Sequence, residues 1–442
     1  MPRLLLALTG SGLVLGSPAM AQESPAGAVA IVNVTVVPMD RERVLSGQTV
    51  VVEKGVITRI GTGKIPPGAQ RIDGTGKFLI PGLMDLHVHL SYNPEPEQRQ
   101  LLQLFLAHGV TTVVNLRGAP QALELRAAIR DGRILGPRLY TVGPYVNQPF
   151  VTTPEEVEQA VVAQKREGYD FIKLHGDLTR AAYTRLMSVA RREGIRVIGH
   201  APRNLGHDIM YQERQYGVVH AEEFLYDTTN SSRDRDLPQV EARIPSHAQR
   251  MAQAGIWLMP NLVAYHAIGG LINNLDSMLA RPEMRYLPRR VQQVWGPATN
   301  PYTARFPKDR YPGIMARLQI LKRMTREFHA AGGRLLLGTD AVNTGTIPGS
   351  SAHDEMEEMV DAGLSPFIVL QAATANAAEF LGDREPSGQV AVDHRADLVL
   401  LDANPLENIT NTRRIAGVML RGRWFSRNEI MAILEQLRAS EN

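Results

Sequence analysis

The chain has 442 residues, of which 44% are hydrophobic and 21% are charged, an ordinary globular composition that excludes collagen-like, coiled-coil and wholly disordered chains. Its 48 Lys and Arg and 45 Asp and Glu give a formal net charge of +3. The two signs are interspersed, which argues against nucleic acid as a partner. Cysteine is absent, so disulfides, thiolate metal sites and Cys nucleophiles are excluded, and any metal must be held by His, Asp, Glu or a modified Lys.

The first 21 residues have the pattern of a signal peptide. Arg3 supplies the positive start, residues 4–15 are mostly apolar, and Ala19-Met20-Ala21 is a small-x-small cleavage site. The apolar stretch is shorter than the roughly 20 residues that a membrane span needs. We therefore expect cleavage near Ala21, export to the periplasm or the medium, and no membrane partner.

The next region, 22–79, contains short Val- and Ile-rich runs separated by Gly, Pro and Asp, which predict β-strands. The region 386–442 returns to the same pattern in ADLVLLD and IAGVMLRGRWF, and its end has helical spacing. Two β-rich segments at opposite ends of a chain predict a small β-sandwich that is built from both, followed by a terminal helix.

Between these ends, residues 80–385 alternate strand-like runs with Ala-, Glu- and Arg-rich segments of helical spacing. Eight such runs occur: FLIPGLMDLHVHL, VTTVVNLRG, RLYTVGP, YDFIKLHG, GIRVIGHAP, YGVVHAEEF, GIWLMPNL and GRLLLGTDA. A doubly wound sheet would also alternate, but eight strands favour a (β/α)8 TIM barrel. The long connection 262–333 is rich in aromatic residues, which predicts an insertion that acts as a lid over the active site.

Six polar side chains occupy the carboxyl ends of these strands, where barrel enzymes build their active sites. His87 and His89 form a His-x-His pair, and alternation along a strand directs both imidazoles to one face. The other four are Lys173 in DFIKLHG, His200 in IGHAP, His220 in VVHAEE and Asp340 in LLLGTDA. Because these residue types recur at equivalent strand ends, we expect the active site there.

The sequence resembles the amidohydrolase superfamily of metal-dependent hydrolases. The resemblance rests on PGLMDLHVH at 81–89, on the strand-end residues above, and on two later stretches at 362–382 and 396–409. Within the superfamily the chain is most similar to the imidazolonepropionase-related and prolidase-like members. That group includes enzymes that cleave dipeptides and N-acyl amino acids, and some that hydrolyse ochratoxin.

The resemblance implies two divalent metal ions. His87, His89 and Asp340 would bind one ion, and His200 and His220 would bind the other. Lys173 would bridge them as a carbamate, since a carbamate is an anionic ligand with two oxygens whereas an ammonium would repel the ions. Ligands of this kind suit Zn²⁺, with Mn²⁺, Co²⁺ or Fe²⁺ as replacements.

The resemblance also implies the reaction. A hydroxide bridging the metals would attack a carbonyl that one metal polarises, and Asp340 would carry the proton to the leaving nitrogen. Glu222 or Glu223, near His220, is expected to accept a hydrogen bond from a ligating imidazole. The expected activity is cleavage of the amide bond of a small peptide or N-acyl amino acid, in the manner of a peptidase or carboxypeptidase, ochratoxin-type amides included.

Five further residues are candidates for contact with this substrate because they follow barrel strands. Arg117 follows the second strand and could pair with a substrate carboxylate. Tyr145 follows the third strand, Tyr265 and His266 follow the seventh, and His353 lies on the predicted loop after the eighth.

Other functions stay open at this point. A mononuclear deaminase or cyclic-amide hydrolase would have His-x-x-Glu on the fifth strand, but His200 is followed by Ala-Pro-Arg, and the pattern occurs instead from His220 to Glu223. The presence of Lys173 favours the binuclear centre. An esterase or lactonase could use the same site, whereas a binding protein without activity would not need every ligand. The substrate, the native metal and the oligomeric state, a homo-oligomer included, are left open.

Overall fold

The computed structural model describes residues 27–226, 237–343, 345–382 and 385–440. The predicted signal peptide, 1–21, lies outside the described residues. The strands are β1 (Val29–Val36), β2 (Leu45–Glu53), β3 (Val56–Gly61), β4 (Gln70–Asp73), β5 (Phe78–Pro81), β6 (Leu83–Val88), β7 (Val110–Asn115), β8 (Arg138–Thr141), β9 (Phe171–Leu174), β10 (Arg196–Gly199), β11 (Gly217–Val219), β12 (Trp257–Met259), β13 (Arg334–Leu335), β14 (Leu398–Leu401), β15 (Ile415–Leu420) and β16 (Arg423–Ser426).

The strands of the two chain ends join in one mixed sheet with the order β16-β15-β14-β5-β1-β2-β3, and β4 pairs with β1. β5 lies between the two groups. Its Phe78 pairs in parallel with Thr35 of β1, and its Ile80 pairs in antiparallel with Val399 of β14. One apolar cluster contains buried side chains from both groups, such as Ile31 and Leu398. The two β-rich ends of the chain therefore meet in a single hydrogen-bonded sheet.

All eight strand-like runs of the central region contain strands, and these strands are parallel. They form a three-stranded sheet, β6-β7-β8, and a five-stranded sheet, β13-β12-β11-β10-β9. The first run divides at Gly82, where the chain passes from the mixed sheet to β6. The Gly82 amide donates to the Asp397 carbonyl, and a Cβ at this position would overlap the side chain of Thr111. The lack of a side chain therefore allows the close approach at this crossing.

The two parallel sheets are linked at both of their edges. Val142, just after β8, forms a parallel bridge with Phe171 of β9, and Val88 of β6 forms one with Ala341. Beside the bridge between Val88 and Ala341, the Leu86 amide donates a hydrogen bond to the Leu337 carbonyl at 3.0 Å. The carboxyl ends of the parallel strands consequently lie on one side of the molecule, and the candidate site lies there.

The helices are α1 (Glu95–Ala107), α2 (Pro120–Arg130), α3 (Pro154–Glu167), α4 (Arg180–Glu193), α5 (His207–Glu213), α6 (Leu237–Gln253), α7 (Leu262–Asn273), α8 (Leu275–Leu279), α9 (Arg289–Trp295), α10 (Pro301–Arg305), α11 (Tyr311–Ala330), α12 (Ser350–Asp361), α13 (Pro366–Ala372), α14 (Ala375–Leu381) and α15 (Arg427–Ser440). Local signals explain their ends. Thr153 caps α3 in a capping box with Glu156, and Gly168 ends it in a left-handed conformation. Across the described ranges, no helix is long and apolar enough to cross a membrane.

The connection 262–333, predicted as an insertion, is largely helical and contains α7 to α11. Its last helix, α11, packs beside α6 and α7 and leads into β13, as a helix between two parallel strands does. Relative to a simple strand–helix–strand unit, the inserted residues are therefore those that precede α11. Its helices α7 and α10 pack against each other and supply one wall of the candidate site.

Candidate metal centre

The His-x-His pair and the Asp that follows β13 meet in a buried cluster. His87 Nε2 and His89 Nε2 lie 3.2 Å apart, and Asp340 Oδ1 is 3.2 Å from the first and 2.7 Å from the second. The Asp340 amide donates to the His87 carbonyl at 2.8 Å, so the strand pairing itself fixes this approach. Although burial favours the neutral acid, the two imidazoles hold the pKa of Asp340 well below its usual range.

The other two predicted histidines complete a contiguous group of rings. The centroid of the His220 ring lies 4.8 Å from that of His87 and 5.1 Å from that of His200. Ligand atoms of His87, His220 and Asp340 lie within 4.8 Å of one another. Burial lowers the pKa of His200 to about 4 and that of His220 to about 3. Both imidazoles are therefore neutral at pH 7, which is the form that binds a metal.

Lys173 is fully buried on β9. Its Nζ has no hydrogen-bond partner among the described residues, and burial lowers the pKa of the amine to about 7. An uncompensated buried amine is costly. A ligand role for this side chain, through the amine itself or through the oxygens of a carbamate formed on it, would remove that cost. The converging nitrogen and oxygen donors and the buried amine therefore fit a divalent metal centre.

A carboxylate holds His200 in place. Glu223 Oε1 accepts a hydrogen bond from His200 Nδ1 at 2.6 Å, and both Glu223 oxygens accept from Arg203, at 2.8 and 2.5 Å. Although burial favours the neutral acid, His200 and Arg203 hold the pKa of Glu223 well below its usual range. The sequence pointed to either Glu222 or Glu223 near His220; in the structure it is Glu223, and the imidazole that it orients is that of His200.

Two further polar groups that the sequence did not single out support the cluster. Asn261 Oδ1 lies 3.3 Å from His87 Nδ1 and accepts from the His220 amide at 3.2 Å. Asp85 is buried and accepts from the His87 amide at 3.2 Å and from the Thr339 hydroxyl at 2.6 Å. These contacts hold His87, the backbone of His220 and Thr339, the residue before Asp340.

A pocket of about 190 Å³ opens over the cluster. Its lining combines the strand-end histidines, Asp340 and Glu222 with apolar side chains of α7 and α11 and with Tyr302 of α10. The lining residues are His87, His89, His175, His200, His220, Glu222, Pro260, Asn261, Ala264, Tyr265, Ile268, Tyr302, Leu321, Asp340, Asn343 and Thr346.

The structure brings three of the five predicted substrate residues to or near this pocket. Tyr265 lines it. Tyr145 stacks on His175, a lining residue, with ring centroids 4.5 Å apart. Burial raises the pKa of Tyr145 to about 12, and the nearby charge of Arg117 acts in the opposite direction. Arg117 therefore lies within electrostatic range of Tyr145.

The remaining two lie elsewhere. His266 is half-exposed on α7 and pairs with Glu358. His353 belongs to α12, so the prediction of a loop at this position is wrong. It is buried, with Nδ1 2.9 Å from the Thr412 hydroxyl and Nε2 3.0 Å from the His108 carbonyl. Both of its ring nitrogens are thereby occupied in joining α12 to neighbouring segments.

Two lining residues with functional chemistry were missed. His175 follows Lys173 by two positions, so alternation along β9 could have placed both on one face. Tyr302 reaches the pocket from α10, and its pKa is raised to about 12 by burial and by the charges of Asp340 and Glu222. No pattern around Tyr302 links it to the strand ends, because the insertion has its own irregular path.

The chain is similar in sequence and in fold to known proteins. A family model described as "Amidohydrolase family" matches residues 78–425. Ochratoxinase of Aspergillus niger is 24% identical over 358 residues, which cover 75% of this chain and 71% of that protein. A dihydroorotase of Trichlorobacter lovleyi is 36% identical over 83 residues, but the match spans only 19% of that protein.

Among solved structures, a bottromycin amidohydrolase superposes with a TM-score of 0.75 at 24% identity, covering 94% of this chain and 91% of that one. A Xaa-Pro dipeptidase with bound methionine in its active site gives 0.68 at 19% identity, covering 90% and 100%. At these identities the likeness concerns the fold, an α/β fold with parallel sheets.

Proposed function

The chain belongs to the amidohydrolase family and is a hydrolase acting on carbon–nitrogen bonds, and we propose that it cleaves the amide bond of a small peptide or N-acyl amino acid at a centre of two divalent metal ions. The observation that carries this proposal is the convergence of four histidines and Asp340 around the fully buried Lys173.

The residues divide between the two ions according to where they lie. His87, His89 and Asp340 approach one another within 3.2 Å and would hold the first ion. His200 and His220, on neighbouring strands, would hold the second. Lys173 would supply the bridging ligand after its neutral amine adds CO2 and releases a proton to give a carbamate. Burial favours that form by lowering the pKa of Lys173 to about 7. Zn²⁺ is the ion that these donors suit best.

The chemistry then depends on the placement of Asp340. When bound, the two ions would polarise the scissile carbonyl and lower the pKa of the attacking water. Asp340 is kept ionised by its histidine neighbours and lines the pocket, so it can accept the proton of that water and return it to the leaving nitrogen. Asn343 Nδ2 donates to Asp340 Oδ2 at 2.6 Å and leaves Oδ1 directed at the histidine pair.

The size of the pocket and the names of the relatives support a small amide substrate. About 190 Å³ is less than the roughly 300–1,000 Å³ of pockets that take drug-sized ligands. Among the relatives, a dipeptidase and a bottromycin amidohydrolase act on amide-containing molecules by name, and ochratoxinase extends the range of substrates to test. A dipeptide fits this volume better than an ochratoxin-type amide does.

The proposal extends to the architecture and the location of the protein. The links at both edges of the two parallel sheets support a closed (β/α)8 barrel over 80–385. The shared mixed sheet supports a second, β-sandwich domain made of 22–79 and 386–442. Residues 1–21 would direct export to the periplasm or the medium.

Metal analysis tests the proposal directly. The purified protein loaded with Zn²⁺ should hold about two ions per chain, and it should release amino acids from dipeptides or N-acyl amino acids. Lys173→Ala should lose at least one ion and the activity, whereas Lys165→Ala, which changes a lysine on the outer face of α3, should change neither. One ion per chain at saturation, or an unchanged metal content in Lys173→Ala, would refute the binuclear centre.

A further inference from the structure

The pocket wall carries one acidic side chain that the proposed metal centre does not use. Of the described residues that line the pocket, Asp340 and Glu222 are the two carboxylates, and none is Lys or Arg. Glu222 lies in the short 3-10 helix Ala221–Tyr226 that follows β11. Its side chain is 22% exposed, so it faces the pocket while it is largely withdrawn from solvent.

The adjacent guanidinium, that of Arg203, is shared between Glu222 and Glu223, and its shorter hydrogen bonds go to Glu223. Arg203 donates to Glu223 at 2.8 and 2.5 Å, whereas its distance to Glu222 Oε1 is 3.4 Å. Arg203 also lies over the ring of Tyr226, with its Cζ 3.9 Å from the ring centroid. Arg203 is thus held mainly by Glu223 and by the ring of Tyr226. The shorter contacts of Arg203 therefore go to Glu223, and Glu222, which lines the pocket, meets this guanidinium only at the longer distance.

We propose that Glu222 binds a protonated amine of the substrate and makes this hydrolase selective for amides that carry an ammonium group close to the scissile bond. This inference rests on the proposed amide hydrolysis. An ammonium offers three donors to a carboxylate, and hydrogen bonds between charged groups are among the stronger ones. A substrate with a neutral acylated nitrogen at this point would leave Glu222 desolvated with only its long contact to Arg203, which is unfavourable.

The apolar part of the pocket lining fits the rest of such a substrate. Tyr265, Ile268 and Leu321 offer apolar surface, so an uncharged side chain can lie against α7 and α11 while the ammonium faces Glu222. The ammonium has two chemical sources: the free α-amine of a dipeptide, or the side-chain amine of a lysine-like residue. Both place the same charge in the pocket at different distances from the scissile carbonyl.

The experiment measures leucine release from alanyl-leucine, N-acetyl-alanyl-leucine and N-acetyl-lysyl-leucine by the Zn²⁺-loaded protein. The second peptide lacks an ammonium, and the third carries it only on the side chain. We expect kcat/KM for alanyl-leucine, for N-acetyl-lysyl-leucine, or for both, to exceed that for N-acetyl-alanyl-leucine by about 10–100-fold, the usual worth of a hydrogen bond between charged groups. Which of the two is preferred identifies the source of the ammonium.

Glu222→Gln should abolish this preference, chiefly by raising KM for the ammonium-bearing peptide, and should leave the metal content unchanged. Glu53→Gln, which changes an exposed glutamate of β2, is the matched control and should behave as the unchanged protein. Equal rates for all three peptides, a preference that survives in Glu222→Gln, or loss of a metal ion from Glu222→Gln would each overturn the inference.

Calorimetric titration with L-alanine separates this inference from the proposed function, because it does not depend on turnover. Binding should weaken by about 10-fold or more in Glu222→Gln but not in Glu53→Gln. If the Zn²⁺-loaded protein releases leucine from no peptide and alanine binding still depends on Glu222, peptide hydrolysis fails and the ammonium site stands. If alanine binding does not depend on Glu222, the ammonium site is refuted.

Discussion

At the scale of single residues, Asp85 links β6, which carries His87, to the segment after β13, which carries Asp340. It accepts hydrogen bonds from the His87 amide on its own strand and from the Thr339 amide and hydroxyl beside Asp340, at 3.2, 3.1 and 2.6 Å. Burial raises the pKa of Asp85 to about 7, while these hydrogen bonds act to lower it. Asp85 does not reach the pocket, so its role is to position His87 and Asp340.

Asp85→Asn tests this positioning role. The amide group presents a donor to the Thr339 hydroxyl, which already accepts from the Ala341 amide at 3.2 Å, so the link between β6 and the segment after β13 weakens. Loss of such a supporting contact typically lowers metal affinity about 10–100-fold. Competition with a chelator of known affinity measures the change. Asp73→Asn, an exposed aspartate at the end of β4, should bind metal as before; equal affinities in the two variants would contradict the role.

At the scale of elements, the sequence predicts well what depends on local pattern. The eight strand-like runs became eight parallel strands because period-two apolar runs bounded by Gly and Pro specify strands wherever a core is available. The His-x-His pair and Asp340 could be predicted as neighbours because carboxyl ends of parallel strands share one side. The position of the candidate ligands thus follows from the alternation of side chains along each strand and from the order of the parallel strands.

What the sequence did not predict depends on contacts between distant segments. Tyr302 and Leu321 come to the pocket through the packing of α10 and α11, which no periodicity encodes. His353 looked like a loop residue after the eighth strand, but α12 begins at Ser350 and buries it. Histidines are common both in buried hydrogen-bond networks and in active sites, and only the packed structure separates the two.

The helix α12 also holds two distant elements through one carboxylate. Asp354 accepts from Arg281, in the insertion, at 2.8 Å and from Arg413, near the mixed sheet, at 2.6 Å. Burial alone would raise the pKa of Asp354, but the two guanidinium groups lower it below its usual value. A carboxylate whose pKa is lower in the folded than in the unfolded state stabilises the fold above the unfolded pKa, near 3.9, and loses this contribution as the pH falls through the folded pKa.

Asp354→Asn should therefore lower the free energy of unfolding at pH 7 by about 1–3 kcal/mol, the range for hydrogen bonds to charged groups. The difference between the two proteins should stay constant down to about pH 5 and shrink below about pH 4, where the unfolded aspartate takes up a proton. Urea unfolding at pH 7, 5 and 3.5 measures it. Asp208→Asn, at a more exposed ion pair with Arg250, should have a much smaller effect. A difference that is the same at all three pH values would contradict the assignment.

At the scale of the whole molecule, the proposed metal centre joins segments that are far apart in the chain. Its candidate ligands come from β6, β9, the ends of β10 and β11, and the turn after β13. The mixed sheet ties the chain ends together, whereas the candidate ligands bring polar groups of several parallel strands to one point. Buried donors that converge without a metal are poorly compensated. Metal binding should consequently stabilise the whole fold.

Removal of the metals tests this coupling without any substrate. A ligand that binds only the folded state adds about 4 kcal/mol when its free concentration is 1,000 times its Kd, and each kcal/mol shifts Tm by roughly 2 °C in a large domain. The protein treated with a strong chelator and then dialysed should melt on the order of 5–15 °C below the Zn²⁺-loaded protein. Readdition of Zn²⁺ should restore Tm, whereas Mg²⁺, which prefers oxygen ligands, should not. Lys173→Ala should show a smaller Zn²⁺-dependent shift, because it lacks the bridging ligand, and Lys165→Ala should show the full one. Melting temperatures that do not respond to Zn²⁺ would mean that the buried histidines and Asp340 are satisfied by one another and hold no metal.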